Sequence, residues 1–291
     1  MSELIIYLDG QYVKQSEAKI SVFDHGVLYG DGAFEGIRAY NGRVFKLKEH
    51  IDRFYESAQT IMIEMPFSRE EMESIVLETC RRNSMVNGYI RLVVTRGVGD
   101  LGLSPTKCKK PSLFCIASTI SLYPAELYEK GITVVTASQR RSPVTVIDPQ
   151  VKSLNYLNNI LAKIEANRAG ADEGIMLTLD GTVAECTADN IFIIKDNKVY
   201  TPPTSCCILN GITRRTIIEL ALKNGVELYE SEFSLHNVYN ADECFLTGTG
   251  AECIPVTKVD GRTIGDGVAG PVTQKLLGLF KEFAGSTGET I

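Results

Sequence analysis

The sequence predicts an α+β fold in two domains, and three observations carry that prediction. Short strand-like runs are joined by Asp-Gly or Asp-Asn pairs at Asp9-Gly10, Asp180-Gly181, Asp196-Asn197 and Asp260-Gly261, dipeptides that readily supply the positive φ angles of tight hairpin turns. Helical stretches occur in both halves without alternating regularly with the strands, which argues against a doubly wound sheet. Gly248-Thr249-Gly250 follows a short apolar run but lacks the remaining glycine of a Gly-x-Gly-x-x-Gly dinucleotide fingerprint.

The totals narrow the function classes. A chain of 291 residues can bury a substantial core. Hydrophobic content of 44% and charged content of 23% are those of an ordinary soluble protein. A net charge of -6 disfavours nucleic acid or an anionic membrane as the main partner. No apolar run approaches the roughly 18 residues of a bilayer span. Met1-Ser2-Glu3-Leu4 lacks the basic-then-apolar pattern of a secretory leader. A cytoplasmic protein is therefore expected. Eight cysteines without a Cys-x-x-Cys pair and three distant histidines offer no metal-ligand spacing, so no metal is expected and the thiols are expected to be reduced.

Taken in order, Leu4 to Asp9 and Tyr12-Val13 form the first expected hairpin, with a third short strand at Ile20 to Phe23. Asp24 to Arg38 carries four glycines among aromatics, a backbone able to approach another surface closely or a plain barrel corner. Leu47 to Ile61 is helical by the spacing of Ile51, Phe54 and Ala58, and Ser68 with Glu71 makes a capping box for a second helix reaching Arg82. Tyr89 to Arg96 is a β-branched strand in which Arg91 is an anomaly, because a buried strand arginine needs a partner. Gly97 to Pro105 is a loop and Ser112 to Ala117 a strand. The domains are expected at 1–117 and 131–291, with a connection at 118–130 that includes Tyr123-Pro124. Beyond it come a strand at Ile132 to Ala137 and a helix at Asn155 to Asn167, with Leu157, Leu161 and Ile164 on one face. Two hairpins follow, then a helix opened by Gly211-Ile212-Thr213 and closed by Asn224-Gly225. A short strand at Cys244 to Thr247 and a last helix at Pro271 to Phe283 complete the pattern.

The stretch from Val151 to Asn190 sets Lys152 just before a helix and Glu185 at the end of an apolar hairpin. An amine and a carboxylate so placed suit the two sides of a flat cofactor. Pyridoxal 5′-phosphate needs a lysine to form a Schiff base and move the α-proton, a carboxylate against its ring nitrogen, and a cup for its phosphate. Arg53 offers a planar fork, Ile212-Thr213 a helix N-terminus, and Gly248-Thr249-Gly250 a nest of N–H groups. Taken singly, a helix-opening threonine is more often a cap and Gly-Thr-Gly a turn.

Lys152-Ser153-Leu154-Asn155-Tyr156-Leu157-Asn158-Asn159, Glu185 spaced from Asn190-Ile191-Phe192, and Leu209-x-Gly211-Ile212-x-Arg214 together resemble class IV aminotransferases. Phe34-Glu35-Gly36-Ile37-Arg38 and Gly248-Thr249-Gly250-Ala251-Glu252 extend the likeness over nearly the whole chain, which is most similar to the branched-chain amino-acid aminotransferases. The resemblance implies a two-domain, D-amino-acid-aminotransferase-like fold type IV with pyridoxal phosphate at the domain interface. It implies Lys152 as the catalytic lysine, Glu185 as ring-nitrogen partner and Tyr156 as donor to the phenolic oxygen. By the same resemblance Arg53, Ile212, Thr213 and Thr249 are expected to hold the phosphate. Thr249-Gly250 and Tyr89 meet the substrate carboxylate, with Gly250 standing where the family commonly has alanine.

On that reading Tyr29, Phe34 and Tyr123 form an apolar wall, and Arg91, aided by Arg38, takes the side-chain carboxylate of glutamate or 2-oxoglutarate. Leu101 and Leu103 close a neighbouring subunit's pocket in a homodimer or a larger assembly of dimers. The substrates are small amino acids and 2-oxo acids. Rival readings are a D-amino-acid or (R)-amine transaminase, 4-amino-4-deoxychorismate lyase, and a non-catalytic cofactor-binding protein. The D-amino-acid enzymes carry an Arg-x-His trap, whereas this chain has Thr95-Arg96-Gly97-Val98.

Overall fold

The protein is described by a computed structural model covering residues 3–119 and 123–291. The chain divides into two compact units. The first comprises Met1–Ile120, Val151–Asn155 and Ala284–Ile291, and the second comprises Ser121–Gln150 and Tyr156–Phe283. This division differs from a simple split at 118–130, residues 120–122 of which lie outside the described residues. The Lys152 segment belongs with the first unit because Ser153 bridges Ala33. In addition, Phe34 N–H donates to Lys152 O at 3.0 Å and Leu154 N–H to Gly32 O at 2.9 Å.

In the first unit, β1 (Ile5–Leu8) and β2 (Gln11–Lys14) form the expected hairpin, with φ of 48° at Asp9 and 96° at Gly10. The strand expected at Ile20 to Phe23 does not form. All four of its side chains are exposed, so no face is buried to hold it, and the chain turns through Asp24 N–H to Ser21 O instead. The glycine-rich stretch is not one corner but two elements, α1 (His25–Tyr29) capped by Asp24 and β3 (Gly32–Tyr40). Next come β4 (Arg43–Val44), α2 (Leu47–Thr60), α3 (Arg69–Arg82), β5 (Gly88–Thr95) and β6 (Ser112–Ser118). The capping box of Ser68 and Glu71 is formed.

These strands and Glu289–Thr290 make an antiparallel seven-stranded sheet in the order Glu289–Thr290, β4, β3, β5, β6, β1, β2. One sheet face packs Ile37, Ala39, Ile90, Leu92 and Val94 into a core with Leu47, Ile51, Phe54 and Ala58 of α2. Each large side chain buried there contributes about 1.5–3 kcal/mol. Strand alternation sends Phe34, Gly36, Arg38, Tyr89, Arg91 and Val93 to the other face, where Phe34 pairs with Val93, Gly36 with Arg91 and Arg38 with Tyr89.

The second unit runs through α4 (Ala125–Lys130), β7 (Ile132–Thr136), α5 (Leu157–Arg168), β8 (Glu173–Leu177), β9 (Val183–Cys186), β10 (Asn190–Lys195) and β11 (Lys198–Thr201). It continues with α6 (Ile212–Lys223), β12 (Leu228–Glu230), α7 (Leu235–Tyr239), β13 (Glu243–Gly248), β14 (Glu252–Val259), β15 (Arg262–Thr263) and α8 (Pro271–Ser286), the last of which belongs to this unit as far as Phe283. Its mixed nine-stranded sheet has the order β12, β11, β10, β13, β14, β7, β8, β9, with β15 on β14. Ile132, Val134, Ile175, Ile191, Leu246 and Ile254 form its core. The periodicity of α5 is real but its polarity is inverted. Leu157, Ile160, Leu161 and Ile164 are exposed, while Asn159, Ala162 and Ala166 are buried. Among the described residues no helix is long and apolar enough to cross a membrane.

Candidate active site

Lys152 lies in a short extended segment beside β3. Its N–H donates to Ser57 Oγ of α2 at 3.1 Å, so helix and strand together fix the lysine's backbone. Its Nζ stands 4.6 Å from the centroid of the Phe34 ring. The guanidinium of Arg91 stands 4.5 Å from the same centroid and donates from Nη2 to Tyr89 Oη at 2.9 Å. An amine, an aromatic ring and a second cation therefore share one surface of the first unit. Gly36 makes room for it, since a Cβ there would lie 1.9 Å from Tyr89 Oη.

On the opposite face of β3, Glu35 is fully buried and grips α2. Arg53 donates Nε to Oε1 at 2.7 Å and Nη2 to Oε2 at 2.8 Å, and His50 Nδ1 lies 2.7 Å from Oε2. Burial alone would push the Glu35 carboxyl up, but Arg53 and then His50 more than offset it and hold the group well below the usual carboxylate range. Burial lowers the His50 pKa, against the pull of Glu35. Arg53, expected at a phosphate, thus has an ionic partner in the first unit that sequence reading missed. Glu35 carried a usable signal, because like Arg91 it is a charge inside an apolar strand.

The Tyr29 hydroxyl donates to Leu101 O, while His25 Nε2 lies 2.9 Å from Asp100 O. Tyr29 is thereby joined to the loop that bears Leu101 and Leu103, both strongly exposed. Arg96 forks Asp31 at 2.8 and 2.9 Å and donates to the carbonyls of Ile61 and Met62. It is a strut between β5 and the end of α2. Tyr123, expected on the pocket wall, is buried in the second unit's core cluster, with its ring centroid 6.5 Å from that of Tyr128.

In the second unit Glu185, on β9, is 4% exposed. Arg141 Nη2 approaches its Oε1 at 2.6 Å, Asn190 Nδ2 donates to Oε2 at 2.9 Å, and Leu209 N–H donates to both oxygens at 3.1 and 3.2 Å. Asn190 Nδ2 also donates to Leu209 O at 2.9 Å. Tyr156 is the N-cap residue of α5. Gly211 caps α6 without a side-chain hydrogen bond, so the N–H groups at Ile212 and Thr213 open the helix with its positive dipole end uncompensated by a side-chain cap. Thr249 and Gly250 form the half-buried turn after β13. Close approaches surround these elements. A Cβ at Gly211 would meet Asn190 Oδ1 at 2.2 Å, and one at Gly248 would meet Asp189 Oδ1 at 1.9 Å. Thr247, opposite Asn190 on the sheet, keeps a buried hydroxyl without a hydrogen-bond partner among the described residues. Cys206 is buried, which pushes its thiol up to about 11, consistent with a packing role.

Comparison with known proteins bears on this geometry. The family model of amino-transferase class IV matches residues 32–259. A Methanocaldococcus jannaschii protein, whose name as a branched-chain-amino-acid aminotransferase is itself provisional, is 56% identical over 277 residues, covering 95% of each chain. The D-alanine aminotransferase of Staphylococcus haemolyticus is 37% identical over 279 residues, 96% of this chain and 97% of that protein. The branched-chain amino acid aminotransferase of T.th., solved with pyridoxamine 5′-phosphate, superposes with a TM-score of 0.93 at 38% identity, over 97% of this chain and 94% of that one. With the lysine segment, the held carboxylate and the open helix N-terminus all present in a chain matched along most of its length, the protein belongs to the class IV aminotransferases, enzymes that use pyridoxal 5′-phosphate.

Proposed function

We propose that the chain transaminates branched-chain L-amino acids against 2-oxoglutarate in a ping-pong cycle. The observation that carries this reading is the Phe34 ring with the Lys152 amine 4.6 Å and the Arg91 guanidinium 4.5 Å from its centroid. A leucine, isoleucine or valine side chain packs on the rings of Phe34 and Tyr89. The side-chain carboxylate of glutamate or 2-oxoglutarate meets Arg91, which Tyr89 steadies. One surface thereby accepts an apolar and an acidic substrate in turn.

Pyridoxal 5′-phosphate, when bound, supplies an electron sink for the substrate's α-carbon. The residues present fit it. Glu185 is a buried, charge-paired acceptor for a protonated ring nitrogen. Ile212 and Thr213 offer uncapped N–H groups to a phosphate, and Thr249 and Arg53 complete the anion's donors. Gly211 and Gly248 stand where a side chain would crowd that cradle, and the unpartnered Thr247 hydroxyl beside it is a further polar group. Tyr156 donates to the phenolic oxygen. Lys152 anchors the group through Nζ and moves the α-proton with the same atom. Tyr89 and the backbone of Thr249-Gly250 hold the α-carboxylate. Arg38, on the same sheet face, lends positive charge. The exposed Leu101 and Leu103, with Tyr29 tied to their loop, meet a second copy of the chain, the assembly being a homodimer or larger.

The D-amino-acid reading is weakened by Arg96, which is spent on Asp31 and two helix-end carbonyls and has no histidine two residues on. The discriminating experiment is Arg91→Met. Loss of a charge-assisted contact of about 1.5–3 kcal/mol raises KM for glutamate roughly tenfold or more, while leucine changes little. Equal losses for both amino acids would remove Arg91 from its role.

A further inference from the structure

We propose that Arg141 is a positioning residue for the cofactor's ring nitrogen, acting through Glu185. This rests on the role given to Glu185 above and extends it to a residue that never touches the substrate. Arg141 is 7% exposed, and all three of its guanidinium nitrogens are engaged. Nη2 lies 2.6 Å from Glu185 Oε1, Nη1 donates to Asn159 Oδ1 at 3.0 Å, and Nε donates to Cys207 O at 3.2 Å. Its backbone N–H donates to Leu177 O at 2.8 Å. Asn159 is in turn fixed by donating Nδ2 to Thr187 O at 2.7 Å. A planar fork addressing three acceptors in three directions is work an arginine can do and a lysine cannot.

On the other side of the carboxylate, Asn190 and the Leu209 N–H hold Oε2 and the plane of the group. Glu185 is therefore fixed in orientation from two directions. At 4% exposure a carboxylate deprived of a counter-charge takes up a proton or disrupts its surroundings. A protonated carboxyl is no acceptor matched to an N–H⁺ of a ring. Arg141 keeps Glu185 ionised and aimed, and the buried amide of Asn159 keeps Arg141 in place.

A purely structural role, bracing the loop of Arg141 against α5, makes a different prediction, because it does not depend on the charge at position 185. The test titrates the full chain, stripped of cofactor, with pyridoxamine 5′-phosphate, which forms no covalent link to Lys152. Glu185→Gln and Arg141→Met each raise Kd roughly tenfold or more. In the Glu185→Gln background Arg141→Met adds less than about twofold. Arg141→Lys recovers part of the affinity, and it carries the same comparison should the methionine variant not fold. The Kd of Arg141→Met also rises as pH falls from about 8 to about 6, where the wild-type chain is flat, because the unpaired buried carboxylate protonates at higher pH. An equal loss in both backgrounds, no loss in either, or a flat pH profile in Arg141→Met overturns the proposal. A Glu185→Gln chain that binds like wild type removes the role of Glu185 itself, and Arg141 falls with it.

Discussion

At the scale of single residues, the surface proposed for the substrate depends on an absence. Gly36 faces Tyr89 so closely that an alanine Cβ would stand 1.9 Å from Tyr89 Oη and 2.7 Å from Cζ. Because Tyr89 in turn receives a hydrogen bond from Arg91, Gly36→Ala displaces both side chains. The expected cost is about 1–3 kcal/mol of stability and a clear rise in KM for leucine and glutamate alike, unlike the selective effect of Arg91→Met. Wild-type KM values for Gly36→Ala would show that Tyr89 does not border the substrate. Arg91 was legible in the sequence as a charge in an apolar strand, and Glu35 carries the same mark. Gly36 was not, because its importance appears only once β3 and β5 are in register and set Arg38 opposite Tyr89. Arg141 gave no signal, since its partners Asn159, Glu185 and Cys207 O are 18 to 66 residues away, and it stands in a loop without periodicity.

Among the elements, α2 links the first unit's stability to pH. It presents His50 and Arg53 to Glu35 of β3. The Glu35 pKa is depressed in the folded chain, so its stabilisation is present above the unfolded carboxyl's value of about 4.3 and is lost as pH falls below it. The His50 pKa is also depressed, so below about pH 6.5 the unfolded chain binds a proton that the folded chain resists. Both act in one direction. The urea midpoint should be lower at about pH 5 than at about pH 7.5, and a His50→Gln chain should lose part of that difference; an unchanged midpoint would contradict the assignment. Element type was well read where local chemistry decides, as in the capping box at Ser68 and the turns at Asp9-Gly10 and Asp196-Asn197. It failed at Ile20 to Phe23, whose apolar residues are exposed. On α5 the period was right, but spacing gives a stripe and not the direction it faces, and Leu157, Leu161 and Ile164 are exposed while Asn159, Ala162 and Ala166 are buried.

For the whole molecule, an α+β architecture was legible from the mixture of hairpins and helices, and the family from motifs spread along the chain. The return of Val151–Asn155 to the first unit was not, since it rests on the bridge from Ser153 to Ala33, 120 residues apart in sequence. That return nevertheless sets the lysine beside Phe34, where a branched-chain half-reaction would need it. Whether Lys152 serves that half-reaction is tested most directly by the visible absorption of the purified, cofactor-loaded protein with L-leucine and no oxo acid, then with 2-oxoglutarate. The yellow band should bleach with L-leucine and return with 2-oxoglutarate, and a Lys152→Ala chain should show no such cycle. A yellow protein indifferent to L-leucine but bleached by D-alanine would contradict the substrate assignment, and a full cycle in Lys152→Ala would contradict the role of the lysine.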